Sequence, residues 1–351
     1  MKVKLIGQGS YGCVYNPGPS CDSKIHPNYV SKLVLRNSTS TNEYHIGMEI
    51  KKKIKQYKKY FVIQEKKCSI HKKDLSPSIF NKNLCKILNN KQDRYMILMS
   101  REIKSTELYT ILIQFKTMFK IIKVIYTLSK RIQLLENADI IHMDMHFANI
   151  LVSKKTNKLY VIDFGLGLNT SYMITNKLPN YDYLKENIFN PKLDWEYWTI
   201  EYNLLGYIVR HNMKLTKDNI MTCITDYYKN NEKIRYVFPN KSKYSKKAFH
   251  YFKRCIKKSR NDNVLFLLEM CKSWDYYKLA IHLTSFYMHN SLKPMSLLVD
   301  MLSPDKSRLY GKEYVSGLKQ YIENNKDTIK KNKMDLSIQF SDTQTLSLKN
   351  I

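Results

Sequence analysis

Short apolar runs separated by turn formers dominate the first hundred residues. Residues 3–6, 30–35 and 95–99 are such runs, apolar or β-branched, which predicts strands. Between the second and third, residues 41–57 carry Ile46, Ile50 and Ile54 at every fourth position, the spacing of one helix face. From about Ser105 the pattern becomes helical. Residues 108–135 form a long amphipathic stretch, and residues 194–209 are apolar enough for a buried central helix. Two strand-like runs, 150–152 and 159–162, interrupt this pattern and are joined by a polar turn at 154–158. Beyond about Asn324 the chain turns polar and reads as a terminal helix with a loose tail. The expected fold class is α+β: a small sheet-containing part (1–101), a larger helical part (102–325) and a polar tail (326–351), with no internal repeat.

Composition changes this picture little. Hydrophobic content of 43% and aromatic content of 12% suit an ordered globular protein and argue against disorder. No uncharged apolar stretch reaches the length of about 18 residues that a membrane span needs, and no signal-peptide pattern precedes the glycine-rich turn. The expectation is a soluble protein of the cytoplasm. Seven cysteines are scattered without a C-x-x-C pair, and their spacing suggests neither a zinc site nor a disulfide framework, so reduced thiols are expected. The formal net charge of +29 would attract polyanions. The excess is spread along the chain, however, and lysine, asparagine and isoleucine are all abundant, as an A/T-rich coding sequence would produce. A dedicated nucleic-acid ligand is therefore not expected, although residues 241–260 form a dense basic run.

Candidate chemistry begins at Gly7-Gln8-Gly9-Ser10-Tyr11-Gly12-Cys13-Val14, a G-x-G-x-x-G-x-V pattern. Glycines in a hairpin let backbone N–H groups approach phosphate oxygens with no Cβ in the way. A dinucleotide-binding loop would run straight into a helix, which Asn16-Pro17-Gly18-Pro19 forbids. Lys32 shares a strand face with Val30 and Val34 by the two-residue period. A lysine there is either exposed or neutralises something, and the functional reading is a clamp on nucleotide phosphates. Its partner would be Glu43 or Glu49. Glu43 falls on the core side of the helix and Glu49 beside Lys52 and Lys53, but Ser40-Thr41-Asn42-Glu43 also reads as a capping box. Finally, Asp144 and Asn149 stand five apart in His142-Met143-Asp144-Met145-His146-Phe147-Ala148-Asn149, and Asp163-Phe164-Gly165 follows after a strand pair. This set can supply a base near an attacking hydroxyl and two oxygen ligands for Mg²⁺, a hard cation.

Together these elements resemble the protein-kinase superfamily, in the expected order from Val3 to about Tyr207. The resemblance implies a bilobal fold with a small β-rich N-lobe and a larger helical C-lobe. It also implies ATP and Mg²⁺ as cofactors and a hydroxyl acceptor, most simply Ser or Thr of a protein substrate. Gly7, Gln8, Gly9, Ser10, Tyr11, Gly12, Val14 and Lys32 would bind ATP, and a hinge from Met99 to Glu102 would meet the adenine. Lys32 would be held by Glu43, Asp144 would be the catalytic base, and Asn149 and Asp163 would hold the metal. In the central helix, the residues around Gly206 resemble the casein-kinase-1 and vaccinia-related branches, with Glu201 or Asp194 at the position of the family's Asp. The compact N-terminus and compositional bias are similar to kinases encoded by large DNA viruses, which implies a host-cytoplasmic or virion protein.

Three departures bear on the substrate. His146 stands where Ser/Thr kinases carry Lys, and H-x-D-x-H-x-x-N resembles aminoglycoside and choline kinases. Met143 replaces the Arg that binds a phosphorylated activation loop. No Ala-Pro-Glu lies between Gly165 and Asp194. A small-molecule acceptor is thus the second reading, and a pseudokinase scaffold the third.

Overall fold

The computed structural model describes residues 4–9, 12–22, 24, 26–75, 85–112 and 117–331. The fold is mixed α+β. The contacts of the described residues divide it into two compact units: one comprises the chain through Leu108 together with Phe147–Gly167, the other Tyr109–His146 and residues 168–331.

The first unit is built on an antiparallel five-stranded sheet, in the order β1-β2-β3-β5-β4. Its strands are β1 (Lys4–Gln8), β2 (Gly12–Asn16), β3 (Tyr29–Leu35), β4 (Lys66–His71) and β5 (Arg94–Arg101). The two-residue period sorts β3 and β5 onto two covered faces. Leu33, Tyr95, Ile97 and Met99 join Cys13, Tyr15, Leu88 and Cys85 in one core cluster, while Val34, Met96 and Leu98 pack on the other side with Tyr44. Tyr44 belongs to α1 (Ser38–Lys53). That helix starts because Asn37 and Ser40 cap each other, the Asn37 side chain accepting from the Ser40 N–H at 2.9 Å and Ser40 Oγ accepting from the Asn37 N–H at 3.1 Å. A cap of this kind contributes about 1 kcal/mol. Lys51, Lys52 and Lys53 in the last turn suit the negative end of the helix dipole. Ile46, Ile50 and Ile54 are all buried, as their spacing predicts. A smaller sheet follows, in which β6 (Ser105–Glu107) pairs with Ile150–Ser153 and that strand with Leu159–Val161.

The expectation of reduced thiols is overturned in this unit. Cys13 is bonded to Cys85 and Cys21 to Cys68, across sequence separations of 72 and 47. Spacing along the chain could not show these pairs, because the sheet and its connections bring them together. The other three cysteines, Cys223, Cys255 and Cys271, are buried free thiols of the second unit. Burial pushes Cys255 and Cys271 up to about 12, far from any reactive thiolate. Peptide mapping without reductant should therefore recover the 13–85 and 21–68 pairs, with the other three cysteines alkylated only after unfolding. Free Cys13 and Cys85 in the native protein would contradict this arrangement.

The second unit is helical. Met118–Glu136 buries Met118, Ile121, Ile122, Ile125, Leu128, Ile132 and Leu135, a three-and-four spacing that makes one apolar face. Trp274–His289 is buried along nearly its whole length. The helix expected at 194–209 begins only at Ile200, where the Thr199 side chain caps it, and runs to His211. Among the described residues no helix is long and apolar enough to cross a membrane.

Candidate active site

In the first unit, β3 and α1 place Lys32 and Glu43 face to face. Lys32 Nζ lies 2.9 Å from Glu43 Oε2 and 3.2 Å from Asp163 Oδ1. The alternative in which Glu43 only caps its helix does not apply, because Asn37 and Ser40 fill that role. Glu49 instead meets Lys53 at 3.7 Å. Burial by itself would lower the Lys32 ammonium, but the Asp163 and Glu43 carboxylates outweigh it and hold the group above the usual lysine range. Glu43 is buried, and desolvation pushes its carboxyl up against the pull of Lys32. Its second oxygen accepts from the Gln64 amide at 2.9 Å.

Asp163 adopts a left-handed backbone, with φ of 62°. The turn after it is tied to α1, since Asn42 Nδ2 donates to the carbonyls of Gly165 at 3.1 Å and Gly167 at 2.8 Å. Phe164 is buried edge-on against Phe61. Asn149 is brought alongside by its own carbonyl, which accepts from the Ile162 N–H at 2.9 Å. Among the described residues no group of three or more His, Cys, Asp or Glu could hold a metal ion. One carboxylate and one amide oxygen do suit Mg²⁺, which keeps several waters and takes its remaining ligands from phosphate. The half-exposed Asp163 carboxylate, aligned by Lys32 on one oxygen, fits that role.

The glycine-rich segment is the hairpin of β1 and β2, with Gln8 opposite Cys13 and Gly7 opposite Val14. Ser10 and Tyr11 lie outside the described residues. The glycines differ in what they do. A Cβ on Gly12 would meet the Leu33 carbonyl oxygen at 2.5 Å, so Gly12 lets β2 close on β3. Gly9 has no heavy atom within 4 Å of its Cβ position. The structure places Met99, expected at the start of a hinge, inside the sheet. That residue lies within β5, paired with both Ser31 and Lys66, and its side chain is in the core cluster. The chain leaves the sheet at Glu102, whose carboxylate accepts from Asn16 Nδ2 at 2.8 Å.

In the second unit, Asp144 and His146 are neighbours, with His146 Nε2 3.4 Å from Asp144 Oδ2. The Asp144 N–H donates to His142 Nδ1 at 3.2 Å, which makes that nitrogen an acceptor. Burial would raise the Asp144 carboxyl, yet His146 and Lys278 hold it well below the usual carboxylate range. It is therefore ionised near neutrality. A carboxylate so stabilised is a weak base, suited to orienting a hydroxyl and receiving its proton late.

Sequence reasoning missed the group that anchors this loop. It is not Glu201. Glu201 is fully buried against Arg308, 3.1 Å from Oε2 to Nη2, and accepts from Trp274 Nε1 at 3.1 Å. Asp275 takes the loop instead, accepting from the N–H of His142 at 2.6 Å and of Met143 at 3.0 Å. One turn further along the same helix, Lys278 donates to the Met143 carbonyl. The available signal was Asp275-Tyr276-Tyr277-Lys278-Leu279-Ala280, two charges inside an otherwise apolar helix. No family model matches the chain, and no curated protein matches it in sequence.

Proposed function

We propose that the protein is an ATP-dependent phosphotransferase of protein-kinase type, moving the γ-phosphate of ATP to a hydroxyl. The observation that carries this reading is the three-centre cluster of Lys32, Glu43 and Asp163, with Asn149 beside it. A lysine clamp held by a helix carboxylate, next to an aligned metal-binding carboxylate, is what phosphate positioning requires. On this reading the backbone of the glycine-rich hairpin and Lys32 hold the phosphates, and the backbone after β5, from Glu102, meets the adenine. Asn149 and Asp163 would hold Mg²⁺, which when bound neutralises charge developing on the transferred phosphate. Asp144 orients the acceptor hydroxyl and takes its proton. His146 can donate to a phosphate oxygen, more strongly when protonated.

A Ser or Thr hydroxyl of a protein is the leading acceptor. A small-molecule acceptor is the second reading, favoured by His146 in H-x-D-x-H-x-x-N. The two are separated by incubating the protein with γ-labelled ATP, first alone and with acidic and basic proteins, then with sugars, amino alcohols and aminoglycosides. Label in protein alone supports the first reading, and label in a small molecule alone supports the second. Label in neither, at any acceptor concentration, would overturn both.

Control by a phosphorylated loop is not part of the proposal. Met143 is buried and its side chain offers a phosphate neither donor nor charge. Phosphatase treatment should therefore change kcat less than about threefold, under about 0.7 kcal/mol. Within the second unit, Lys272 sits 3.1 Å from Asp139 Oδ1, which the Thr170 hydroxyl also approaches at 3.5 Å. Arg260 stacks over Tyr181. A tenfold loss that is restored by rephosphorylating Thr170 or Tyr181 would show that one of these cations serves in place of the missing arginine.

A further inference from the structure

The Met143 backbone is held on both sides by one turn of the helix Trp274–His289. Asp275 accepts from its N–H at 3.0 Å, and Lys278 donates to its carbonyl. Residues three apart on a helix share a face, so the two charges act on the two backbone groups of one residue. Met143 needs such a hold, because it is not a glycine and its φ is 63°, a left-handed conformation that L side chains disfavour. Lys278 and Asp275 are almost fully buried, at 3% and 1% exposure. An ammonium is seldom placed so deep without a partner that requires it. Lys278 has two beyond the carbonyl, since Asp275 and Asp144 both bear on its charge and work against the burial that lowers it.

We propose that Lys278 is a positioning residue for Asp144. It fixes left-handed Met143 from the carbonyl side and sets a buried positive charge on the carbonyl that leads into Asp144, so that Asp144 is presented ionised and in one orientation. The role rests on the phosphotransferase reading. It goes beyond that reading by assigning a function to a lysine more than a hundred residues away in sequence. Asp275 alone could hold the two N–H groups, but it would leave the Met143 carbonyl unheld and its own buried charge uncompensated. Lys278 offsets that charge while completing the grip.

The test compares Lys278→Met, Lys278→Gln and Lys278→Arg with the wild type in kcat, KM for ATP and amide exchange at Met143. In Lys278→Met, kcat should fall on the order of 100-fold. KM for ATP should stay within about twofold, because the groups assigned to ATP are untouched. Lys278→Arg, which keeps charge and donor, should recover most of the loss. Lys278→Gln keeps a donor without charge and should fall between; it carries the test should Lys278→Met not fold. The Met143 amide should exchange at least about tenfold faster in Lys278→Met than in the wild type. A kcat within threefold of wild type in Lys278→Met would overturn the proposal, as would an arginine variant no better than methionine. The exchange readout needs no activity. An inactive wild type would therefore count against the phosphotransferase reading, while unchanged Met143 protection in Lys278→Met would count against the grip itself.

Discussion

Asp163→Asn is expected to lower kcat about 1000-fold, a loss of about 4 kcal/mol in transition-state stabilisation, with little change in melting temperature. The substitution keeps shape and removes charge. Asparagine tolerates the left-handed region about as well as aspartate does, so the φ of 62° adds no new strain. Lys32 retains its 2.9 Å contact with Glu43, so no buried cation is stranded. What disappears is the only carboxylate among the proposed metal ligands, and a neutral amide holds Mg²⁺ far less well. Kinetics measured across Mg²⁺ concentrations should show a lower kcat and a much higher metal requirement. Normal turnover with unchanged metal dependence would remove Asp163 from the proposed site.

Lys32→Met is expected to cost at least about 100-fold in kcat and, unlike Asp163→Asn, to destabilise the fold as well. The reason is Glu43, whose side chain is only 5% exposed and loses its cation. Leaving a buried charge unpaired costs roughly 3–5 kcal/mol, and protonation of Glu43 relieves part of that. The sign follows from the direction of its shift. Burial raises Glu43, so the protonated form is favoured by folding, fully below the unfolded value of about 4.3, and that gain is lost as pH rises through the folded value. The stability deficit of Lys32→Met should therefore shrink toward acid pH. Adding Glu43→Gln to Lys32→Met should restore stability without restoring kcat, a non-additivity expected of groups in direct contact. A single variant with normal kcat and an unchanged melting temperature would leave Lys32 no part in phosphate binding or in holding Glu43.

The parts legible in the sequence were those fixed by local periodicity. Ile46, Ile50 and Ile54 marked the buried face of α1 and put Glu43 on its core side, so Glu43 was legible as a partner for Lys32, while Glu49 and a capping role stayed open until the structure paired Lys32 with Glu43. Asp163 and Asn149 were legible because a short strand pair connects them. What could not be read depended on contacts far apart in the chain. Cys13 and Cys85 are separated by 72 residues, and no spacing rule reaches that far. Asp275 lies 133 residues from His142, whose N–H it accepts. In sequence it is one acid in an apolar run, whereas Glu201 stood in a helix already singled out and proved to be committed to Arg308. That Met99 is still inside the sheet was not legible from position alone, since only the pairing of β5 on both sides shows it.

Nucleotide titration by calorimetry, with and without Mg²⁺, bears most directly on the cluster of Lys32, Glu43 and Asp163 as a metal–nucleotide site. The wild type should bind ATP more tightly with Mg²⁺ present. Asp163→Asn should lose that metal dependence, and Lys32→Met should weaken binding in both conditions. A wild type that binds no ATP, or an Asp163→Asn variant that binds Mg²⁺-ATP as the wild type does, would contradict a phosphate-and-metal role for this cluster.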